Sequence, residues 1–269
     1  MASSLTVNSR GIKLNALDYG GNISRDILLL HGLAGRGREW NNTAEWLTQF
    51  GRVIALDQRG HGESAEDTSD FSRLAYVEDA INTIEQHCKT PIILIGQSMG
   101  GINAFLVATK RPELVQTLII VEAAPNQSRG IQTGIRSWLE KWNVPFKTFD
   151  DAWEFFGKGT FRGKTFAELL DKREDGYYPA FRIDSMVHSM EDLESRDYWE
   201  EWKKIKCTTL VVTGEKGFIS KEVVNDMVNT IPNGQSVCIS ESGHELHLDQ
   251  PREWRRTVEA FLRDTLKNL

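Results

Sequence analysis

One serine in this chain stands where it could act as a nucleophile. It lies in Gly96-Gln97-Ser98-Met99-Gly100, after an unbroken apolar run at 92–95 and before a stretch with helical spacing at 102–108. A short apolar run of this kind fits a strand buried on both faces of a parallel sheet. Glycines flanking a serine allow a tight strand-to-helix turn, which holds the hydroxyl strained and exposed above the sheet edge. A hydroxyl also needs a base. His244, in Glu241-Ser242-Gly243-His244 just past the last predicted strand, is the best placed of the 6 histidines. His247 lies on the run toward Pro251 and reads as a residue that packs or caps a helix. His31 ends a strand at the same sheet edge, but its loop is better suited to supplying backbone amides. His61 sits in a turn, and His87 and His188 fall on predicted helices. Acyl transfer further requires donors for an oxyanion. The amide of Met99 follows the nucleophile at a helix N-terminus, and the amide of Leu33 lies in a glycine-flanked turn.

These loops must be carried by a sheet. Residues 5–8 and 12–19 alternate apolar and polar types around Ser9-Arg10-Gly11, predicting a hairpin at a sheet edge. Apolar runs at 26–30, 52–57, 92–95 and 115–121 predict parallel strands. Between them fall a helix over 42–50, with Asn42 and Glu45 as its capping pair, and an amphipathic helix from Ser72 carrying Leu74, Val77, Ile81 and Ile84. Strand and helix then alternate again from 208–213 through a helix at 220–230, a strand at 236–240 and a closing helix over 251–268. The alternation predicts a doubly wound, mostly parallel α/β sheet, whose ligands bind outside the carboxyl ends of the strands.

Residues 126–206 interrupt this pattern with helical periodicity and no convincing strand. They hold 15 of the 25 aromatics (12 Phe, 8 Trp and 5 Tyr), enough for a small core of their own and for the underside of a lid over an apolar pocket. The expected organisation is a core of residues 1–125 and 207–269 with a helical cap inserted at 126–206.

Composition excludes several function classes. A net charge of −6 argues against nucleic acid as a partner. No apolar run approaches the ~20 residues that span a bilayer, and Met1-Ala2-Ser3-Ser4-Leu5 does not read as a secretory signal. Cys88, Cys207 and Cys238 are odd in number and widely spaced, so they read as reduced, buried thiols of a cytoplasmic protein. No Cys/His cluster has metal-ligand spacing. The expectation is therefore no metal, no cofactor, a small-molecule substrate, and a monomer or homodimer.

Four segments together resemble the α/β-hydrolase fold family: His31-Gly32-Leu33-Ala34-Gly35, Asp57-Gln58-Arg59-Gly60-His61-Gly62-Glu63-Ser64, Gly96-Gln97-Ser98-Met99-Gly100-Gly101 and Gly243-His244. The resemblance covers essentially the whole chain. It implies Ser98 as nucleophile, His244 as base, and the amides of Leu33 and Met99 as oxyanion hole, with Asp57 to Ser64 mainly structural. The acid departs from the common pattern. Most members carry an Asp in a G-x-x-D turn after the seventh strand, and here that turn is Gly214-Glu215-Lys216-Gly217. A minority place the acid after the preceding strand, which here implies Glu122, with Glu215 as the alternative. Arg38, beside Arg36, is placed to hold an anionic group at the pocket mouth, or else stays solvated; Trp40 is placed with it as a substrate contact.

The reaction expected is hydrolysis of a small, partly apolar ester or related carbonyl compound through an acyl-enzyme. Alternatives on the same residues are a small-molecule sensor with little turnover, a C–C bond hydrolase or lyase, and a cofactor-free oxygenase. A serine at the elbow excludes the carboxylate nucleophile that halide displacement requires.

Overall fold

The computed structural model describes residues 2–21, 23–64 and 68–267. The chain opens with β1 (Ser3–Ser9), β2 (Ile12–Gly20) and β3 (Asp26–Leu30), then α1 (Asn41–Leu47), β4 (Arg52–Leu56), α2 (Arg73–His87), β5 (Ile92–Gln97), α3 (Met99–Lys110) and β6 (Val115–Val121). An insertion follows: α4 (Ile131–Leu139), α5 (Phe149–Gly157), α6 (Phe161–Leu169), β7 (Asp171–Arg173), β8 (Gly176–Tyr178), α7 (Ile183–His188), α8 (Glu191–Ser195) and α9 (Trp199–Trp202). The chain then returns to the sheet with β9 (Thr208–Gly214), α10 (Lys221–Asn229), β10 (Gly234–Ile239), α11 (Leu246–Asp249) and α12 (Pro251–Lys267).

The main sheet runs in the order β1-β2-β4-β3-β5-β6-β9-β10. β1 and β2 pair antiparallel, as do β2 and β4, and all other neighbours are parallel. The continuous apolar runs divide by the two-residue period of a strand. Leu28, Leu30, Ile54 and Leu56 point to one face, among Tyr76, Ile81, Phe105 and Trp202. Ile27, Leu29, Val53 and Ala55 point to the other, among Trp40, Leu47, Trp254 and Val258. With helices on both faces every strand residue is buried from β3 through β6, except Arg52 and Gln116. Truncating one such Leu to Ala costs about 2–5 kcal/mol.

The insertion builds a separate core of Leu139, Trp142, Phe146, Ala152, Leu170, Phe181 and Met186, and Ala34 of the loop after β3 packs into it. Trp142 sits edge-on to both Phe156 and Phe181, with ring centroids 4.9 and 5.6 Å away.

Several local expectations differ from the structure. Asn42 does not cap α1, because a 3-10 turn at Gly37–Trp40 feeds straight into the helix and leaves Trp40 as its N-cap without a side-chain bond. Ser72 caps α2 by accepting from the Ala75 amide, but Leu74 faces solvent while Ala75 and Tyr76 take the buried face. The insertion contains a short antiparallel hairpin, β7 with β8, where no strand was expected. Cys238 is exposed because β10 is an edge strand with an uncovered outer face; Cys88 and Cys207 are half-buried, and all three are free. Asn268, expected to end the closing helix, lies outside the described residues. Among the described residues no helix is long and apolar enough to cross a membrane, and no cluster of His, Cys, Asp and Glu could hold a metal.

Candidate active site

The sheet ladder delivers the site residues as neighbours. Just past the last strand pairs, the Ser98 amide donates to the Val121 carbonyl at 2.8 Å and the Glu122 amide to the Val212 carbonyl at 3.0 Å. The Glu215 amide continues the series to the Ile239 carbonyl at 3.0 Å. Ser98, Glu122, the turn after β9 and the loop after β10 therefore stand side by side at one edge.

Ser98 has φ 51° and ψ −120°, a conformation that costs a non-glycine residue about 1–3 kcal/mol and persists only when its surroundings impose it. Close packing of the elbow imposes it here. A Cβ at Gly96 would lie 2.2 Å from the Gly100 carbonyl oxygen, and one at Gly100 2.3 Å from that of Leu30. Glu122 and Ala34 also have positive φ, 45° and 64°. The Ser98 hydroxyl opens into a cavity of about 1030 Å³ and hydrogen-bonds to none of the described residues.

The Glu122 carboxylate is buried beneath this cavity. Oε1 accepts from the Gly214 amide at 2.8 Å, Oε2 accepts from the Phe218 amide at 3.1 Å, and His244 Nδ1 lies 3.5 Å from Oε2. The His244 ring is partly exposed on the cavity wall with Phe218 against it, centroids 4.8 Å apart. Gln97 Nε2 donates to the His244 carbonyl at 3.1 Å and tethers the histidine loop to the end of β5. A Cβ at Gly217 would lie 2.1 Å from Glu122 Oε1. The carboxylate delivered by β6 thus fills the volume that a side chain at 217 would need. Glu215 is turned away, accepting from the Glu241 amide at 2.8 Å on the far side of the turn.

Two buried histidines fix the loop that carries Leu33. His31 Nε2 accepts from the Gln58 amide at 3.0 Å, so its Nδ1 holds the proton and donates to the Gly32 carbonyl at 2.7 Å. His61 Nε2 accepts from the Ala34 amide at 3.3 Å, and its Nδ1 donates to the Arg59 carbonyl at 2.9 Å. Burial pushes both pKa values down, His61 furthest with the His31 ring beside it, and both rings are neutral. The amides of Leu33 and Met99 have no acceptor among the described residues, and both residues line the cavity.

Ser98, His244, Glu122, Leu33 and Met99 therefore meet at one cavity. Arg38 and Trp40, expected as substrate contacts, do not. Arg38 donates to the carbonyls of Leu169 and Leu170, 3.1 Å each, satisfying the orphaned carbonyls at the end of α6. Its neighbour Arg36 donates to the Leu169 carbonyl at 3.3 Å and to Asp171 at 2.8 Å. The 3-10 turn buries Trp40 completely, stacked 4.6 Å from His247, whose Nε2 lies 2.9 Å from Glu39. The cavity wall comes instead from the insertion: Ile131, Ile135, Trp138, Trp142, Phe155 and Phe156, with Arg162 and Glu245 nearer His244 in the chain's layout. The aromatic enrichment of 126–206 signalled this wall in general; Gln97 and Arg162 carried no signal of their own.

A fold and site of this kind define an α/β hydrolase. The model of the alpha/beta hydrolase family matches residues 27–257, and the chain belongs to that family. Its relatives are named hydrolases and esterases. It is 37% identical over 257 residues (88% of this chain, 80% of the other) to the sn-1-specific diacylglycerol lipase ABHD11 of Mus musculus. It is 24% identical over 249 residues (89% and 90%) to the (E)-2-((N-methylformamido)methylene)succinate hydrolase of Acinetobacter baylyi. The solved structure of E-2-(acetamidomethylene)succinate hydrolase superposes with a TM-score of 0.88 at 20% identity, over 98% of this chain and all of that one, a likeness of fold.

Proposed function

We propose that the protein is a serine hydrolase of carboxylic esters with an apolar acyl part, working without a cofactor, and that the insertion at 126–206 is its cap. His244 removes the proton from Ser98 Oγ, which attacks the ester carbonyl. The oxyanion accepts from the amides of Leu33 and Met99, each such donor being worth about 3 kcal/mol in the transition state. The tetrahedral intermediate collapses: the bond from carbonyl carbon to the alcohol oxygen breaks, and His244 returns its proton to that oxygen. Water, activated by the same imidazole, then releases the acid and restores Ser98. Glu122 orients His244 through Nδ1 and stabilises the imidazolium.

The observation that carries this reading is the convergence of a strained, unpartnered Ser98, a carboxylate-paired His244 and two unpartnered amides on one cavity. The open Ser98–His244 pair is in keeping with a site that tightens on substrate. The apolar wall from the insertion supports an apolar acyl chain, and the esterases and lipase among the relatives support an ester. Steady-state hydrolysis of p-nitrophenyl butyrate tests it. Sustained turnover that Ser98→Ala abolishes is the expected result. Equal turnover by Ser98→Ala would remove the nucleophile, and a single burst without turnover would favour a sensor.

A further inference from the structure

The cavity has one polar corner that this mechanism leaves unused. Arg162, on α6 of the insertion, reaches toward the loop that carries His244. Its Nε lies 3.5 Å from Asp249 Oδ1 and its Nη1 lies 3.9 Å from Glu245 Oε2. These are charge contacts; among the described residues neither the Arg162 guanidinium nor the Glu245 carboxylate makes a hydrogen bond. Both side chains line the cavity, 41% and 24% exposed. Most of the facing wall is apolar, so donors and an acceptor without partners stand together in an otherwise dry recess.

We propose that Arg162 and Glu245 form the subsite for the alcohol half of the ester, and that this alcohol is neutral and carries a free hydroxyl. The inference rests on the serine-hydrolase reading above and deepens it. The chemistry locates the alcohol: His244 must hand its proton to the departing oxygen, so the substituents of that oxygen lie beside His244. Glu245 is the next residue in the chain, and Arg162 faces it from the insertion. The charges then choose the class. An anionic alcohol meets Glu245 and also Asp249, whose Oδ2 is already engaged by the Gly243 amide at 2.8 Å. A cationic alcohol meets Arg162. A plain alkyl group strips water from both charges and gives them no partner. A hydroxyl donates to Glu245 and accepts from Arg162 at once. Burial also pushes the Glu245 carboxyl above its usual range, chiefly through desolvation, which further disfavours leaving it without a partner.

The test is kcat/KM for four butyrates that differ only in the alcohol: glycerol monobutyrate, propyl butyrate, carboxymethyl butyrate and butyrylcholine, each with Ser98→Ala as the blank. The glycerol ester is expected to lead each of the others by about tenfold. Arg162→Met and Glu245→Met, with folding checked by circular dichroism, are each expected to bring the glycerol-to-propyl ratio to within about twofold. Equal wild-type rates on the glycerol and propyl esters overturn the proposal without recourse to any variant. So does a lead for the anionic ester, or a ratio that survives both substitutions. Ser98-dependent turnover with a flat alcohol profile removes only this subsite, whereas no Ser98-dependent turnover on any ester removes the hydrolase reading beneath it.

Discussion

Gly217 is the position where a single added carbon reaches furthest into the site. In Gly217→Ala the new Cβ would start 2.1 Å from Glu122 Oε1 and 2.6 Å from Oε2. Ordinary contact begins near 3.4 Å, so the carboxylate must retreat by roughly 1.3 Å. That displacement breaks the bonds from the Gly214 and Phe218 amides, 2.8 and 3.1 Å long. It also lengthens a contact to His244 Nδ1 that is already 3.5 Å. Each charge-assisted bond is worth about 1.5–3 kcal/mol, and loss of the orienting acid in a triad of this kind lowers kcat by about 10⁴. A displaced rather than deleted acid should fall short of that, so kcat/KM is expected to drop by about 10²–10³. The matching rescue is more demanding. Glu122→Ala alone should approach the full loss, and Glu122→Ala with Gly217→Asp should recover at least about tenfold, because the new side chain enters the volume that Glu122 vacated. Aryl ester hydrolysis with thermal melts read in parallel measures both. Wild-type activity in Gly217→Ala would refute the packing argument, and a double variant no better than Glu122→Ala would refute the equivalence of the two positions.

Other expectations follow from the same structure. His31 and His61 have folded pKa values below their unfolded value near 6.5. The unfolded chain therefore binds more protons in that window, and the stability they contribute is full above about pH 6.5 and lost as pH falls; Tm should drop between pH 7.5 and 5, and a flat profile would contradict neutral buried rings. Trp142→Ala removes an edge-packed ring from the cavity wall, so KM for long-chain esters should rise about tenfold relative to acetate esters; a parallel change for both would show that the ring does not line the acyl site. Arg38→Ala leaves two buried carbonyls at the end of α6 without their donor and should lower stability by about 1–2 kcal/mol in urea melts, while KM stays within about twofold; a tenfold KM change would return Arg38 to the substrate.

Much of this was legible in the sequence because it depends on short-range pattern. The runs at 26–30, 52–57, 92–95 and 115–121 read as buried strands and are β3 to β6, since a strand covered on both faces has no polar alternation to obscure it. The elbow was legible for the same reason: the glycines around Ser98 are required by backbone contacts within the turn. What failed depends on which surface an element meets. Arg38 and Trp40 follow the oxyanion turn in sequence, but a 3-10 turn carries them away from the cavity, one to the end of α6 and the other into the core beside His247. Leu74 fits the helical stripe as well as Ala75 or Tyr76, and only the packing of α2 decides between them. The β7–β8 hairpin has three-residue strands, too short to show a period. Glu122 was indicated by family placement, but that its carboxylate lies against Gly217 is a long-range contact that no local pattern records.

The central claim is that Ser98 is the nucleophile, and covalent trapping tests it most directly. Wild-type protein and Ser98→Ala would be incubated with a fluorophosphonate and analysed by intact-mass spectrometry with peptide mapping. The account predicts one adduct per chain, on Ser98, with loss of esterase activity in proportion to labelling and no adduct on Ser98→Ala. An adduct on another residue, or equal labelling of Ser98→Ala, would contradict it.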